Sequence, residues 1–168
     1  MPTTNQKDIA SNIDQNKLRQ VAGAFATGIT VACVEQEDGE IKGITANSFV
    51  SISLDPPIVM LSIQNEASFL ENCKIGNEIG ISILSKEQKN ISDQFAGRYQ
   101  TPTNITFISK GKCHNIEGAM AWYETSIREI IPMGDHQLLF CNVNDLGRQN
   151  DSDPLLYYNG YKLIGDAL

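Results

Sequence analysis

The chain has 168 residues, of which 41% are hydrophobic, and a formal net charge of −7. That length and composition suit one soluble domain with one substantial core. The acidic balance excludes a broad nucleic-acid or anionic-membrane surface, because such surfaces neutralise phosphates with Lys and Arg.

Small molecules and other protein subunits are therefore the expected partners. A phosphorylated ligand would need a local cradle of backbone N–H groups, hydroxyls and one or two cations, which draws attention to Arg98. Cys33, Cys73, Cys113 and Cys141 stand far apart, with no C-x-x-C spacing and no His at a ligand interval. Core or free thiols are expected rather than a zinc site or a dithiol motif. The first residues are polar and no run approaches the ~20 apolar residues of a membrane span, so a cytoplasmic location is the expectation.

In chain order, residues 1–13 read as a flexible arm ahead of a single domain over 14–168. Leu18, Val21, Ala22 and Phe25 recur at helical spacing and predict an amphipathic helix ending near Thr27-Gly28. Ile29 to Glu35 is a strand rich in β-branched residues, Glu37-Asp-Gly39 a hairpin turn, and Glu40 to Thr45 the returning strand.

Next comes Gly43-Ile-Thr-Ala-Asn-Ser-Phe-Val-Ser-Ile-Ser-Leu-Asp-Pro-Pro57, the most informative stretch. From Phe49 onward the residues alternate, which predicts a packing face of Val50, Ile52 and Leu54 and a receiving face of Phe49, Ser51 and Ser53. The hydroxyl and amide ladder from Thr45 to Ser51 suits an aromatic, phosphorylated ligand. On pattern alone it equally describes the solvent face of a half-buried strand. Asp55-Pro56-Pro57 forms a stiff corner, since prolines donate nothing to a ladder, and Ile58 to Ile63 re-enters as a buried strand.

Ser68-x-x-Glu71 and Ser85-x-x-Gln88 match the capping box and predict helices over 69–74 and 86–95, with a strand from Ile79 to Leu84 between them. Further strands are expected over Ile105–Ser109, Ala119–Ile131, Gln137–Asn144 and Leu155–Ile164, with a turn at Pro132-Met-Gly-Asp135. Many strands with few helices between them predict an all-β barrel with peripheral helices. The G-x-G-x-x-G and G-x-x-x-x-G-K-[ST] patterns of Rossmann and P-loop sites are absent from the sequence.

Phe25-Ala-Thr-Gly-Ile-Thr-Val31, Gly43-Ile-Thr-Ala-Asn-Ser-Phe49, Ser53-Leu-Asp-Pro-Pro57, Phe95-Ala-Gly97, Gly134-Asp-His136 and Pro154-Leu-Leu-Tyr-Tyr-Asn-Gly160 follow one another in an order that resembles the flavin reductase-like family. These are the small partners that supply reduced flavin in two-component monooxygenase systems, and the likeness runs from about residue 18 to 164. It implies an FMN-binding split β-barrel of Greek-key type with about six or more antiparallel strands, working as a homodimer. It also implies NAD(P)H-dependent reduction of FMN, with FAD possible and NADH or NADPH as hydride donor.

Carried across by position, the resemblance implies that Thr45, Ala46, Asn47 and Ser48 contact the flavin, with Ser51 near the ribityl and phosphate region. Ser62 and Ile63 line the ring, and Ser68 with Phe95, Ala96, Gly97 and Arg98 completes the surroundings. His136, Tyr157 and Tyr158 match positions that approach the nicotinamide; in a strand, at most one of the two tyrosines faces the pocket. Two positions depart from the pattern. Glu66-Ala67 stand before Ser68 where relatives often carry a cation, and Cys141 replaces a common glycine.

Hydride transfer between two cofactors needs no protein nucleophile, so no catalytic triad is expected. Arg98 also reads as a helix-end cation, His136 as a turn residue, and Trp122 as a packing residue. The alternative function is a non-enzymatic flavin- or haem-binding protein on the same scaffold. A related oxidase acting on a phosphorylated amine is disfavoured by the sparse cations.

Overall fold

The β-branched runs pair into one large antiparallel sheet, and the Gly-, Pro- and Asp-bearing breaks between them become its turns. A computed structural model of the chain describes residues 13–149, 152–159 and 161–162, the last two by backbone alone. The expected arm over 1–13 lies outside these residues except for Ile13, as does part of the last expected strand.

The elements are α1 (Gln15–Ala22), β1 (Thr27–Gly28), β2 (Thr30–Glu35), β3 (Ile41–Ala46), β4 (Val50–Leu54), β5 (Pro57–Gln64), a 3-10 turn (Ser68–Asn72) and β6 (Glu78–Ile83). A second 3-10 turn (Lys86–Gln88) leads into α2 (Lys89–Phe95), followed by β7 (Phe107–Lys110), β8 (Cys113–Ile116), β9 (Ala121–Met133), β10 (His136–Arg148), β11 (Leu156–Tyr157) and β12 (Tyr161–Lys162). Seven strands form a sheet in the order β3-β2-β6-β9-β10-β5-β4, accompanied by a small β1-β11-β12 sheet and the β7-β8 hairpin. The all-β expectation with few helices holds.

The sheet cannot be flat. Its edge strands β3 and β4 are consecutive in the chain, and four Cα steps of ~3.8 Å let Ala46 and Val50 lie at most about 15 Å apart. Six strand spacings of ~4.8 Å would put flat edges about 29 Å apart. The sheet therefore curls until its two edges approach, and no ladder joins β3 to β4 among the described residues.

Both faces of the interior strand β2 are covered, as its nearly unbroken apolar run requires. Ala32 and Val34 join a cluster inside the curl with Leu61, Ile63, Phe69, Ile79, Ile81, Ile127 and Leu139. Val31 and Cys33 point the other way, into a second cluster with Ile29, Leu84, Ile116, Ala119 and Leu155. Each fully buried Leu, Ile or Phe contributes roughly 1.5–3 kcal/mol. The hairpin β7-β8, of which the second strand is not evident in the sequence, covers part of this outer face. Ser82 Oγ accepts the Ile116 N–H there (2.8 Å).

Several local expectations need correction. Helix α1 forms, with the Asp14 carboxylate accepting the Asn16 N–H (2.9 Å), but it ends at Ala22 and is capped by Gly23. The chain is then drawn into the pairing of Thr27 with Tyr157, so Phe25 lies beyond the helix. No residue of α1 is buried, and Leu18, Val21 and Phe25 are 58%, 65% and 78% exposed.

The predicted packing face of β4 is likewise open: Val50, Ile52 and Leu54 are all exposed, because β4 is an edge strand paired only with β5. Ser68 does not cap. It is the first residue of its 3-10 turn, behind Ala67, and no side-chain cap bond is made. The Ser85/Gln88 capping box does form in both directions. The Asp55-Pro56 peptide, which is cis, leads into the hairpin that joins β4 to β5.

Candidate functional site

Three cavities follow one another along the unpaired edge of β3 and the connection after it. The middle one, about 180 Å³, is lined by Ile29, Thr45, Asn47, Ala96, Arg98 and Tyr157. Four separate segments meet there, and each is fixed by an identifiable bond. Thr45 Oγ1 donates to the Ser92 carbonyl in α2 (2.7 Å), which ties strand to helix and leaves the hydroxyl oxygen able to accept. Tyr157 is brought in by the pairing of β11 with β1.

Helix α2 ends through Gly97, whose φ of +68° is the left-handed conformation that favours glycine. The Arg98 N–H then closes onto the Asp93 carbonyl (2.8 Å). Its guanidinium Nε lies 3.9 Å from Asp93 Oδ1, and Lys89 Nζ sits 2.6 Å from the other oxygen. The Asp93 charge is thus shared by two cations, so Arg98 retains part of its positive field toward the cavity.

A second cavity of about 300 Å³ shares Ile29 and Asn47 with the first and is otherwise lined by Phe25, Ala26, Thr27, Gly28, Thr30, Phe49 and Ile83. None of these side chains is charged, and a largely apolar wall of this kind suits a flat ring. Phe49 is braced from behind by Tyr123, with ring centroids 5.4 Å apart. The third cavity, about 420 Å³, is flanked by the 3-10 turn at Ser68 on one side and the end of α2 on the other. Gly43 is required at its floor, since a Cβ there would lie 2.3 Å from the Phe95 ring.

Of the residues predicted to hold flavin, Thr45, Asn47, Ala96 and Arg98 converge on the middle cavity, and Ser68, Phe95 and Gly97 on the third. Ala46 is committed to the scaffold through its carbonyl, which accepts from Thr30 Oγ1 (2.7 Å). Ser48 Oγ donates to the Ser62 carbonyl (2.7 Å) and accepts the Ser62 N–H (3.2 Å), so both serines are engaged with each other. Ser51 is exposed on β4. The Ile63 side chain is 2% exposed and belongs to the inner core, which leaves only its backbone to face a ligand.

Tyr157 lines the middle cavity, whereas Tyr158 lines none of the three. His136 opens β10 opposite Gln64, two residues from the Leu138 that partners Ser62, and also lines none of them. Its Nδ1 is 2.6 Å from Asp135 Oδ1. Hydrogen bonding to His136, and then the charge of that ring, hold the Asp135 carboxyl below its ordinary value. Sequence reasoning missed Ile29, Phe25 to Thr27, Lys42 and Tyr99 as wall residues. The Phe25-Ala-Thr-Gly motif was a signal for the first of these; nothing local marks Lys42 or Tyr99.

The chain belongs to the flavin reductase-like domain family, whose model matches residues 22–163. It is 37% identical over 158 residues to the NADH-dependent flavin reductase StyB of Pseudomonas fluorescens, covering 92% of each chain. Among solved structures it resembles the styrene monooxygenase flavin reductase of Pseudomonas putida S12, with 34% identity, a TM-score of 0.78, and 90% of this chain and 99% of that one covered. It also resembles the NADH:FAD oxidoreductase SgcE6 of Streptomyces globisporus C-1027 in complex with NAD and FAD fragments. That match has 28% identity, a TM-score of 0.80, and coverage of 89% and 92%.

Proposed function

We propose that the protein is an NADH-dependent flavin reductase that passes a hydride from the nicotinamide to N5 of FMN and supplies the reduced flavin to a monooxygenase. The observation that carries this reading is the cavity in which Ile29, Thr45, Asn47, Ala96, Arg98 and Tyr157 meet from four parts of the chain. A planar, weakly polar ring fits the adjoining cavity without charged walls, and a ribityl phosphate tail fits the polar groups along β3. The bound flavin would supply the electron-accepting chemistry, so the protein's task is binding and orientation.

Asn47 is exposed at the junction of two cavities and offers an amide that both donates and accepts to the ring edge. Arg98 contributes positive charge beside it, which favours an electron-rich reduced ring or a phosphate. Ser48, clamped to Ser62, fixes the connection that presents Asn47. Ser51, Ser62 and the Ile63 backbone adjoin the flavin from β4 and β5, Ser68 and the Phe95-Ala-Gly97 segment flank its tail, and His136 with Tyr157 or Tyr158 guides the nicotinamide.

The finer parts of the proposal are a split barrel, a homodimer and a cytoplasmic location. The curled sheet with an unpaired seam supports the first. The exposed apolar residues Leu18, Val21 and Phe25, together with Val50, Ile52 and Leu54, support the second, since a partner copy would bury them. No helix among the described residues is long and apolar enough to cross a membrane.

The test is anaerobic addition of NADH, and separately NADPH, to the protein with FMN. Rapid loss of the flavin's visible absorbance is expected with NADH. Persistent colour with both nucleotides would sink the reductase reading in favour of a flavin carrier.

A further inference from the structure

The cavity flanked by Ser68 and the end of α2 is free of carboxylates, like the two cavities beside it, and it alone of the three is lined by a lysine. Its wall consists of Ile41, Lys42, Gly43, Ile44, Ala67, Ser68, Phe69, Gln94, Phe95, Gly97 and Tyr99, so it contains no carboxylate, and Lys42 is its single charged residue. The chain as a whole carries 20 Asp and Glu against 13 Lys and Arg. Four consecutive β3 residues, Ile41 to Ile44, line the cavity, which therefore runs along the open edge of the strand rather than over one face.

The state of Lys42 is the second observation. Lys74, Lys86, Lys89, Arg98, Lys110 and Lys112 are each paired with a carboxylate, and of the described cations without such a pair, Lys17, Arg19, Lys42, Arg128 and Arg148, Lys42 is the one that lines this groove. The half-buried Lys42 side chain makes no ion pair and no hydrogen bond among the described residues. A lysine left without a counter-ion in a carboxylate-free groove, beside the hydroxyls of Ser68 and Tyr99 and the amide of Gln94, is a site prepared for an anion.

Position supplies the third. Lys42 lies three residues before Thr45 on the same strand, roughly 10 Å away, and five before Asn47. A nucleotide with its ring at Asn47 and its tail along β3 would bring its phosphate within reach of that ammonium group. No cation stands next to Ser68 in sequence, where Glu66 and Ala67 precede it.

We propose that Lys42 is the residue that neutralises the phosphate of the bound flavin nucleotide, with Ser68 as its hydroxyl partner. This rests on the flavin-binding reading above and adds a determinant that the sequence motifs do not contain.

The test compares FMN with riboflavin, which lacks the phosphate, in equilibrium titrations of the wild-type protein, Lys42→Gln and Lys42→Arg. Lys42→Gln is expected to lower FMN affinity about tenfold, to leave riboflavin affinity unchanged, and to flatten the salt dependence of FMN binding. Lys42→Arg is expected to restore most of the difference. Wild-type FMN affinity in Lys42→Gln, or equal losses for FMN and riboflavin, would overturn the assignment while leaving flavin binding intact. A wild-type protein that binds neither flavin would overturn the functional reading itself, and the Lys42 role with it.

Discussion

Ser48 and Ser62 hold each other twice: the Ser48 hydroxyl donates to the Ser62 carbonyl at 2.7 Å and accepts the Ser62 N–H at 3.2 Å. This closes the short connection between the two edge strands onto β5, and so fixes where Asn47 stands. Ser48→Ala leaves a half-buried N–H and C=O without their partner, at a cost of about 1–2 kcal/mol. Thermal denaturation should show a fall in Tm of about 3–6 °C. Flavin affinity should fall with it, because the connection loosens; an unchanged Tm would remove the clamp from this account.

Asn47 is a contrasting case. Its side chain has no hydrogen-bond partner among the described residues and is exposed, so Asn47→Leu should leave the Tm within a degree or so of wild type. Flavin affinity should drop by about 1–3 kcal/mol through an unpaired polar ring edge. Fluorescence titration of FMN measures this directly, and wild-type affinity in a folded variant would exclude Asn47 from the site.

For His136 the prediction separates the two nucleotides. An ionised carboxylate only accepts, so the contact with Asp135 places the proton on Nδ1 of His136 and leaves Nε2 available. Because the Asp135 pKa is depressed, its contribution is present above the unfolded value of about 3.9 and is lost only as pH falls through the lower folded value. The contact therefore persists across the neutral range. His136→Ala and Asp135→Asn should both raise the KM for NADH while flavin affinity stays constant. Steady-state kinetics identical to wild type would take His136 off the nicotinamide path.

Gly80 on β6 lies beneath β8, where a Cβ would meet the His114 carbonyl oxygen at 2.3 Å and further His114 backbone atoms within 3 Å. A backbone obstacle cannot swing aside as a side chain can. Gly80→Ala is accordingly expected to destabilise the fold by about 3 kcal/mol, seen as a lower urea midpoint with an unchanged slope. Stability equal to wild type would show that the hairpin packs more loosely than described.

The four cysteines are free and buried. Burial pushes the thiols of Cys33 and Cys73 up to about 12, and those of Cys113 and Cys141 up to about 11. A raised pKa keeps the thiol protonated, and the thiolate is the nucleophile. At pH 8 a thiol-specific reagent should label none of them in the native protein and all four after unfolding. Fast labelling of any one under native conditions would contradict its burial.

The features legible in the residues alone were local or collective. The alternation of β2, the Asp-Gly turn before β3, the Asp55-Pro-Pro57 corner and the Ser85/Gln88 box are fixed by period, backbone restriction and short-range hydrogen bonding, all of which act within a few residues. The ordered motifs carried the family and the residues that converge around Thr45 and Asn47. Tertiary structure decided the rest, because it depends on what lies opposite a side chain. Alternation assigned Val50, Ile52 and Leu54 to one face but could not say that β4 would be an edge with that face uncovered. Ser48 reads from its motif as a ligand contact, and only the curled sheet, which brings Ser62 alongside, shows that its hydroxyl is also bonded to the Ser62 backbone. Lys42 had no local mark at all; its meaning comes from the absence of carboxylates on walls contributed by segments 25 and 55 residues away in the chain.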